Sequence, residues 1–151
     1  MIKEIKGDLL SSNCKIRCHQ VNCRGVMGAG IAKQIKVKYP TVYPPYRQMC
    51  QDLGSNALGK IQVILCSDGT MIANLFAQNG YGTGKIQTDM TAMEQCIKAI
   101  RQYQMDTGAS VGFPKFMGAG LARGNWNDIY AVIQKYFGGD NADCLIVEYA
   151  K

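Results

Sequence analysis

Ile16-Arg-Cys-His19-Gln-Val-Asn22-Cys-Arg-Gly25-Val-Met-Gly28-Ala-Gly30-Ile-Ala-Lys-Gln-Ile35-Lys-Val-Lys38 is the stretch on which the fold reading turns. Ile16 to Val21 reads as a short strand. It runs into a loop punctuated by Gly25, Gly28 and Gly30, and from Gly30 onward Ile31, Ile35 and the stem of Lys38 recur at helical spacing. Tyr39-Pro40 then stops the helix, because proline disfavours a helical residue before it. A strand, a glycine loop and a helix in immediate succession form the repeating unit of α/β folds, in which ligands sit at the carboxyl ends of the strands.

The same grammar extends in both directions. Ile2 to Ile5 alternates like a half-buried strand and leads into Gly7-Asp8-Leu9-Leu10. After Pro40 a second helix is predicted from Tyr46 to Leu53, closed by Gly54 in the left-handed conformation. Lys60 to Cys66 and Met71 to Phe76 read as strands around the turn Ser67-Asp68-Gly69. A second glycine cluster follows at Gly80-Tyr-Gly82-Thr-Gly84. Thr88 to Tyr103 carries Met93, Ile97 and Ile100 on one helical face. Ala109 to Phe113 reads as a strand, followed by a third cluster, Gly118-Ala-Gly120-Leu-Ala-Arg-Gly124. Asn125 to Phe137 is then a helix whose core face holds Trp126, Ile129, Ile133 and Phe137, and Cys144 to Tyr149 is a final strand. Alternating strands and helices predict a three-layer α/β/α fold around a parallel or mixed sheet, with residues 1–151 forming one domain.

Composition agrees with a globular chain. Of 151 residues, 47% are hydrophobic and 17 are glycine, an excess over the usual share of about 7%. The glycines follow no period, which excludes collagen. A net charge of +6 suits an anionic partner, while only 19% charged residues argues against a basic nucleic-acid tail. The positive charges are also spread along the chain rather than interleaved with stacking aromatics, so nucleic acid is not the expected partner. Seven cysteines include no C-x-x-C pair and cannot all pair with one another, so buried, reduced thiols are expected. With no signal-peptide pattern and no long apolar run, a soluble, cytoplasmic chain without membrane contact is expected.

Glycine loops at strand-to-helix junctions suit phosphate. The first N–H groups of a helix have no partner and carry partial positive charge, and glycine lets the backbone approach an anion closely. The common phosphate motifs do not fit. Gly84-Lys85 is followed by Ile86, where a P-loop has Ser or Thr. Lys33 and Arg123 occupy the third small position of a dinucleotide fingerprint after Gly28-Ala-Gly30 and Gly118-Ala-Gly120.

Taken in order, Gly7-Asp8-Leu9-Leu10, His19-Gln-Val-Asn22-Cys-Arg-Gly25-Val-Met-Gly28-Ala-Gly30-Ile-Ala32, Gly54 to Lys60, Asn74-Leu-Phe-Ala-Gln78 and Gly118 to Trp126 extend over nearly the whole chain. The sequence resembles a macrodomain, the ADP-ribose-binding α/β module with a central mixed sheet. It is similar to the branch that includes ADP-ribose-1''-phosphate phosphatases and ADP-ribosyl-glutamate hydrolases. The resemblance implies that Asp8 accepts the adenine amino group beside the N–H of Leu9, and that Asn22 orients the distal ribose. It implies a first loop of Gly28, Ala29, Gly30 and Ile31 over the distal ribose and diphosphate. A second diphosphate loop is implied at Met117, Gly118, Ala119, Gly120 and Leu121. The implied partner is ADP-ribose or a derivative, with no cofactor.

Each residue also has a plainer reading. Asp8 and Asn22 are common turn formers. Tyr149 is either an adenine-stacking ring or an exposed terminal aromatic, and Lys85 and Lys115 are either phosphate partners or solvated lysines. His19, the only histidine, is either a catalytic acid or base together with Asn22, or a histidine satisfied at a strand end. One departure from the resemblance concerns covalent chemistry, because Gln78 and Ala122 stand where a nucleophilic lysine and its partner aspartate are expected. One histidine and scattered acids do not make a metal site. Three functions remain open on these residues: hydrolysis of ADP-ribose derivatives, releasing phosphate from ADP-ribose-1''-phosphate or ADP-ribose from an ester; ADP-ribose binding without catalysis; and, as a remote alternative, nucleic-acid binding.

Overall fold

The computed structural model describes residues 1–150. Six strands form one sheet: β1 (Ile2–Gly7), β2 (Ile16–Val21), β3 (Ile61–Leu65), β4 (Met71–Phe76), β5 (Val111–Pro114) and β6 (Cys144–Tyr149). Their order across the sheet is β1-β6-β5-β2-β4-β3. All neighbours run parallel except β3, which pairs antiparallel with β4. The sheet is therefore mixed, and the carboxyl ends of five strands emerge at one edge.

Strand periodicity sends alternate side chains to two different helical layers. Ile16 and Cys18 of β2, Ala73 and Leu75 of β4, and Phe113 of β5 pack under α3 (Met90–Thr107) and α4 (Trp126–Phe137). Val21, Ile72 and Phe76 face the other way, against α1 (Gly30–Lys38) and α2 (Tyr43–Leu53). The core stripe of α4 is Ile129, Ile133 and Phe137, as its spacing predicts. Trp126 is only half-buried, with its ring 5.9 Å from that of Phe116.

Element boundaries shift for identifiable reasons. Helix α2 begins at Tyr43, three residues before the expected start, because Pro44 and Pro45 fit a first turn that needs no N–H donors. Gly54 closes it at φ 53°, ψ −132°, a conformation outside the expected left-handed well. Helix α3 starts later and ends later than expected. Asp89 caps it by accepting the Ala92 N–H at 2.9 Å, and Gly108 ends it at φ 71°, ψ 9°.

A short 3-10 turn at Leu9–Ser11 was not foreseen in the sequence. It lies on the sheet where β5 has Gly112, and a Cβ there would come within 2.6 Å of Leu9 Cδ1. The buried Arg17 clamps the same turn. Its guanidinium donates to the carbonyls of Leu10 at 2.6 Å, Ser12 at 2.8 Å and Cys14 at 3.1 Å, and it lies 2.9 Å from the Tyr39 hydroxyl. All seven cysteines are buried and free. Among the described residues no helix is long and apolar enough to cross a membrane.

Candidate functional site

A cleft of about 630 Å³ opens along the edge where the parallel strands end. Each of those strands delivers residues to it: Asp8 and Leu9 beyond β1, Asn22 beyond β2, Gln78 beyond β4, Pro114 from β5 and Tyr149 from β6. This is the position that strand direction dictates for a ligand in an open α/β sheet.

At one end, Asp8 caps the 3-10 turn, with Oδ1 accepting the Leu10 N–H at 3.0 Å. The turn-forming reading of Asp8 is therefore realised in the folded chain, and its second carboxylate oxygen remains available. Leu9 is buried beside it and lines the cleft. Tyr149 lines this region with its side chain largely exposed.

Asn22 builds its own loop as well as lining the cleft. Its Oδ1 accepts the N–H groups of Arg24 at 2.9 Å and Val26 at 3.3 Å, and the buried Tyr46 hydroxyl lies 2.9 Å away. Its amide donates one hydrogen to the Val26 carbonyl at 2.8 Å and keeps the other. One side chain thus fixes the bend that carries β2 into the first glycine loop.

That loop, Gly28 to Ile31, lines the cleft. Gly30 and Ile31 open α1, where N–H groups have no carbonyl one turn back. From the facing side come Met117, Gly118, Gly120 and Leu121, while Ala119 lies outside the lining. The second loop is pinned at Gly118, whose carbonyl receives the Gly124 N–H at 2.8 Å, and at Ala122, whose carbonyl receives the Gln87 N–H at 2.8 Å. Between these anchors the N–H groups of Gly120 and Leu121 have no acceptor among the described residues. Phe116 and Arg123, near the two ends of this segment, hold φ of 68° and 60°, values that cost non-glycine residues energy.

His19, the candidate catalytic acid or base, sits away from the cleft lining. Its ring faces the α1/α2 layer, is fully buried and does not line the cleft. Nε2 lies 2.5 Å from Oδ1 of Asn74, its register partner on β4, and Asn74 donates in turn to Gln62 on β3 at 3.1 Å. Nδ1 has no partner. Burial lowers the imidazole pKa to about 4, although the Asn74 contact opposes the shift, so the ring is neutral near pH 7. Lys115 reaches the cleft wall, but its ammonium is held by Glu4 at 2.7 Å and Glu148 at 3.1 Å. Lys85 lies outside the lining.

Sequence reasoning missed two contributors. Tyr81, Gly82 and Thr83 bring the second glycine cluster to the cleft, a place implied by its position after a parallel strand. Gln20 lines the floor, and no local motif marks it. Among the described residues no group of three or more His, Cys, Asp or Glu is arranged to hold a metal ion.

No protein-family model matches the chain. The chain is 33% identical to the ADP-ribose 1''-phosphate phosphatase of Scheffersomyces stipitis, over 90% of this chain and 95% of that protein. Its fold is similar to the macrodomain of Mycobacterium tuberculosis DarG, with a TM-score of 0.85, 23% identity, and 100% and 99% of the two chains covered. It also resembles Thermosipho africanus DarTG, solved in complex with ADP-ribose, at a TM-score of 0.80 and 20% identity over 97% of this chain and 41% of that one. The long match to the yeast enzyme, with this arrangement of sheet and cleft, places the chain in the macrodomain family, of the type that processes ADP-ribose 1''-phosphate.

Proposed function

We propose that the chain binds ADP-ribose in this cleft and hydrolyses ADP-ribose derivatives at the distal ribose. The adenine lies at Asp8 and Leu9, the diphosphate between the two glycine loops, and the distal ribose at Asn22. The observation that carries this reading is the convergence on one cleft of bare N–H groups from the first turn of α1 and from Gly120 and Leu121. Such groups only donate, so they recognise an anion, and two such loops suit two phosphates. The free oxygen of Asp8 suits an amino donor at the far end.

For ADP-ribose 1''-phosphate, water adds to phosphorus and the bond from phosphorus to the C1'' oxygen breaks. The leaving oxygen takes a proton, giving ADP-ribose and inorganic phosphate. The cleft contributes position: the loop N–H groups hold the diphosphate, and the spare Asn22 amide hydrogen orients the ribose. The name of the yeast relative supports this substrate.

A second reading, binding without turnover, is favoured by the position of His19 outside the cleft and by Ala122 in the second loop. The two separate in one experiment. Phosphate release from ADP-ribose 1''-phosphate by the purified protein supports hydrolysis. Binding of ADP-ribose with no release above the uncatalysed rate establishes the binding module instead.

A further inference from the structure

Beneath the second loop lies a run of hydrogen-bonded polar side chains. Gln20, on β2, donates both amide hydrogens: one to Gln78 Oε1 at 2.7 Å and one to Thr88 Oγ1 at 3.0 Å. Gln78 is locked in turn by donating to the Gly80 carbonyl at 2.7 Å. Thr88 passes the chain on, with its hydroxyl donating to the Gly118 carbonyl at 2.6 Å. The directions of these bonds are mutually fixed, since a flipped Gln20 amide would set its oxygen against Gln78 Oε1. The contacts join β2, the exit of β4, the segment before α3 and the second glycine loop, which are distant in sequence.

Two details set Gln20 apart from a packing residue. Its Oε1 is buried without a partner among the described residues. A Cβ on Gly118 would come within 2.6 Å of that oxygen, so the loop rests directly on the Gln20 amide. An unmet buried acceptor costs stability, and an apolar residue of the same shape would remove that cost.

We propose that Gln20 is a positioning residue for the second loop, holding Gly118 through Thr88 so that the Gly120 and Leu121 N–H groups stay aimed at the diphosphate. The inference rests on the proposed function above for the identity of the ligand. Gln20→Met keeps the length of the side chain and removes its hydrogen bonds. The expected result is a loss of at least tenfold in ADP-ribose affinity, with adenosine affinity changed less than twofold and the protein still folded. Adding Thr88→Val to Gln20→Met is expected to cost less than a further twofold, because both substitutions cut the same chain.

Retained ADP-ribose affinity in Gln20→Met overturns the proposal, and so does an equal loss for adenosine and ADP-ribose, which marks general loosening. If Gln20→Met does not fold, Thr88→Val alone carries the same expectation and the same refutation. Hydrogen exchange at the Gly124 amide, which donates to the Gly118 carbonyl, reads the contact without ligand: faster exchange in the variant supports it, and unchanged exchange overturns it. A wild-type protein that binds no ADP-ribose refutes the functional reading, and the exchange measurement still decides the role of Gln20.

Discussion

A neutral imidazole buried in β2 ties the stability of this protein to pH. Unfolded, His19 titrates near 6.5, and folded it titrates at about 4. Between these values the unfolded chain binds a proton that the folded chain does not, so stability falls as pH drops from 6.5 to 4, by about 3 kcal/mol in total. Urea unfolding at pH 7 and pH 5 is expected to show about 2 kcal/mol of this loss, and His19→Gln to show a flatter profile over the same range. Because the ring lies outside the cleft, the variant is also expected to keep wild-type turnover per folded molecule; a hundredfold loss would return His19 to the mechanism. Asp8→Ala should stay folded and lose ADP-ribose affinity by tenfold or more, measured by calorimetry. The types of these residues were readable in the sequence, but their placement was not. His19 and Asn22 are three apart, yet Asn22 sits past the strand end and lines the cleft while His19 remains inside the sheet. Only the β2–β4 register, which brings His19 opposite Asn74, explains why the imidazole is held there.

At the scale of elements, the 3-10 turn after β1 depends on a residue nowhere near it in function. Arg17→Met would leave the Ser12 and Cys14 carbonyls and the Tyr39 hydroxyl without the guanidinium, and Lys38 alone at Leu10. At about 1–3 kcal/mol for each unmet buried group, the expected loss is about 3 kcal/mol or more, seen as a lower urea midpoint. A loss under 0.5 kcal/mol would mean the turn holds without its clamp. The strands and helices themselves were legible because two- and 3.6-residue periodicities are local properties: β4, β6 and α1 begin and end where the pattern does. The 3-10 turn was not legible, since it is fixed by Gly112 and Arg17 from other parts of the chain. The loop of Gly80 to Gly84 was visible as glycine but not as a cleft wall, because that role follows from strand order.

Over the whole molecule, the sheet works as a frame that brings five loops to one edge and leaves both helical layers to exclude water. The seven buried cysteines belong to that frame. Burial pushes the Cys96 and Cys144 thiols up to about 12, so they are protonated and shielded at neutral pH. Ellman's reagent is expected to react slowly with the native protein and with all seven thiols in urea; rapid reaction of several native thiols would contradict the packing described. The glycine excess and the +6 charge pointed to an anionic ligand, but the carrying feature is where the bare N–H groups lie, which composition does not encode. The central claim is that these groups, with Asp8, form one ADP-ribose site. Isothermal titration calorimetry of the wild-type protein with ADP-ribose tests it most directly. One saturable site per chain is expected, abolished or weakened at least tenfold by Asp8→Ala; no heat of binding at millimolar ADP-ribose would contradict it.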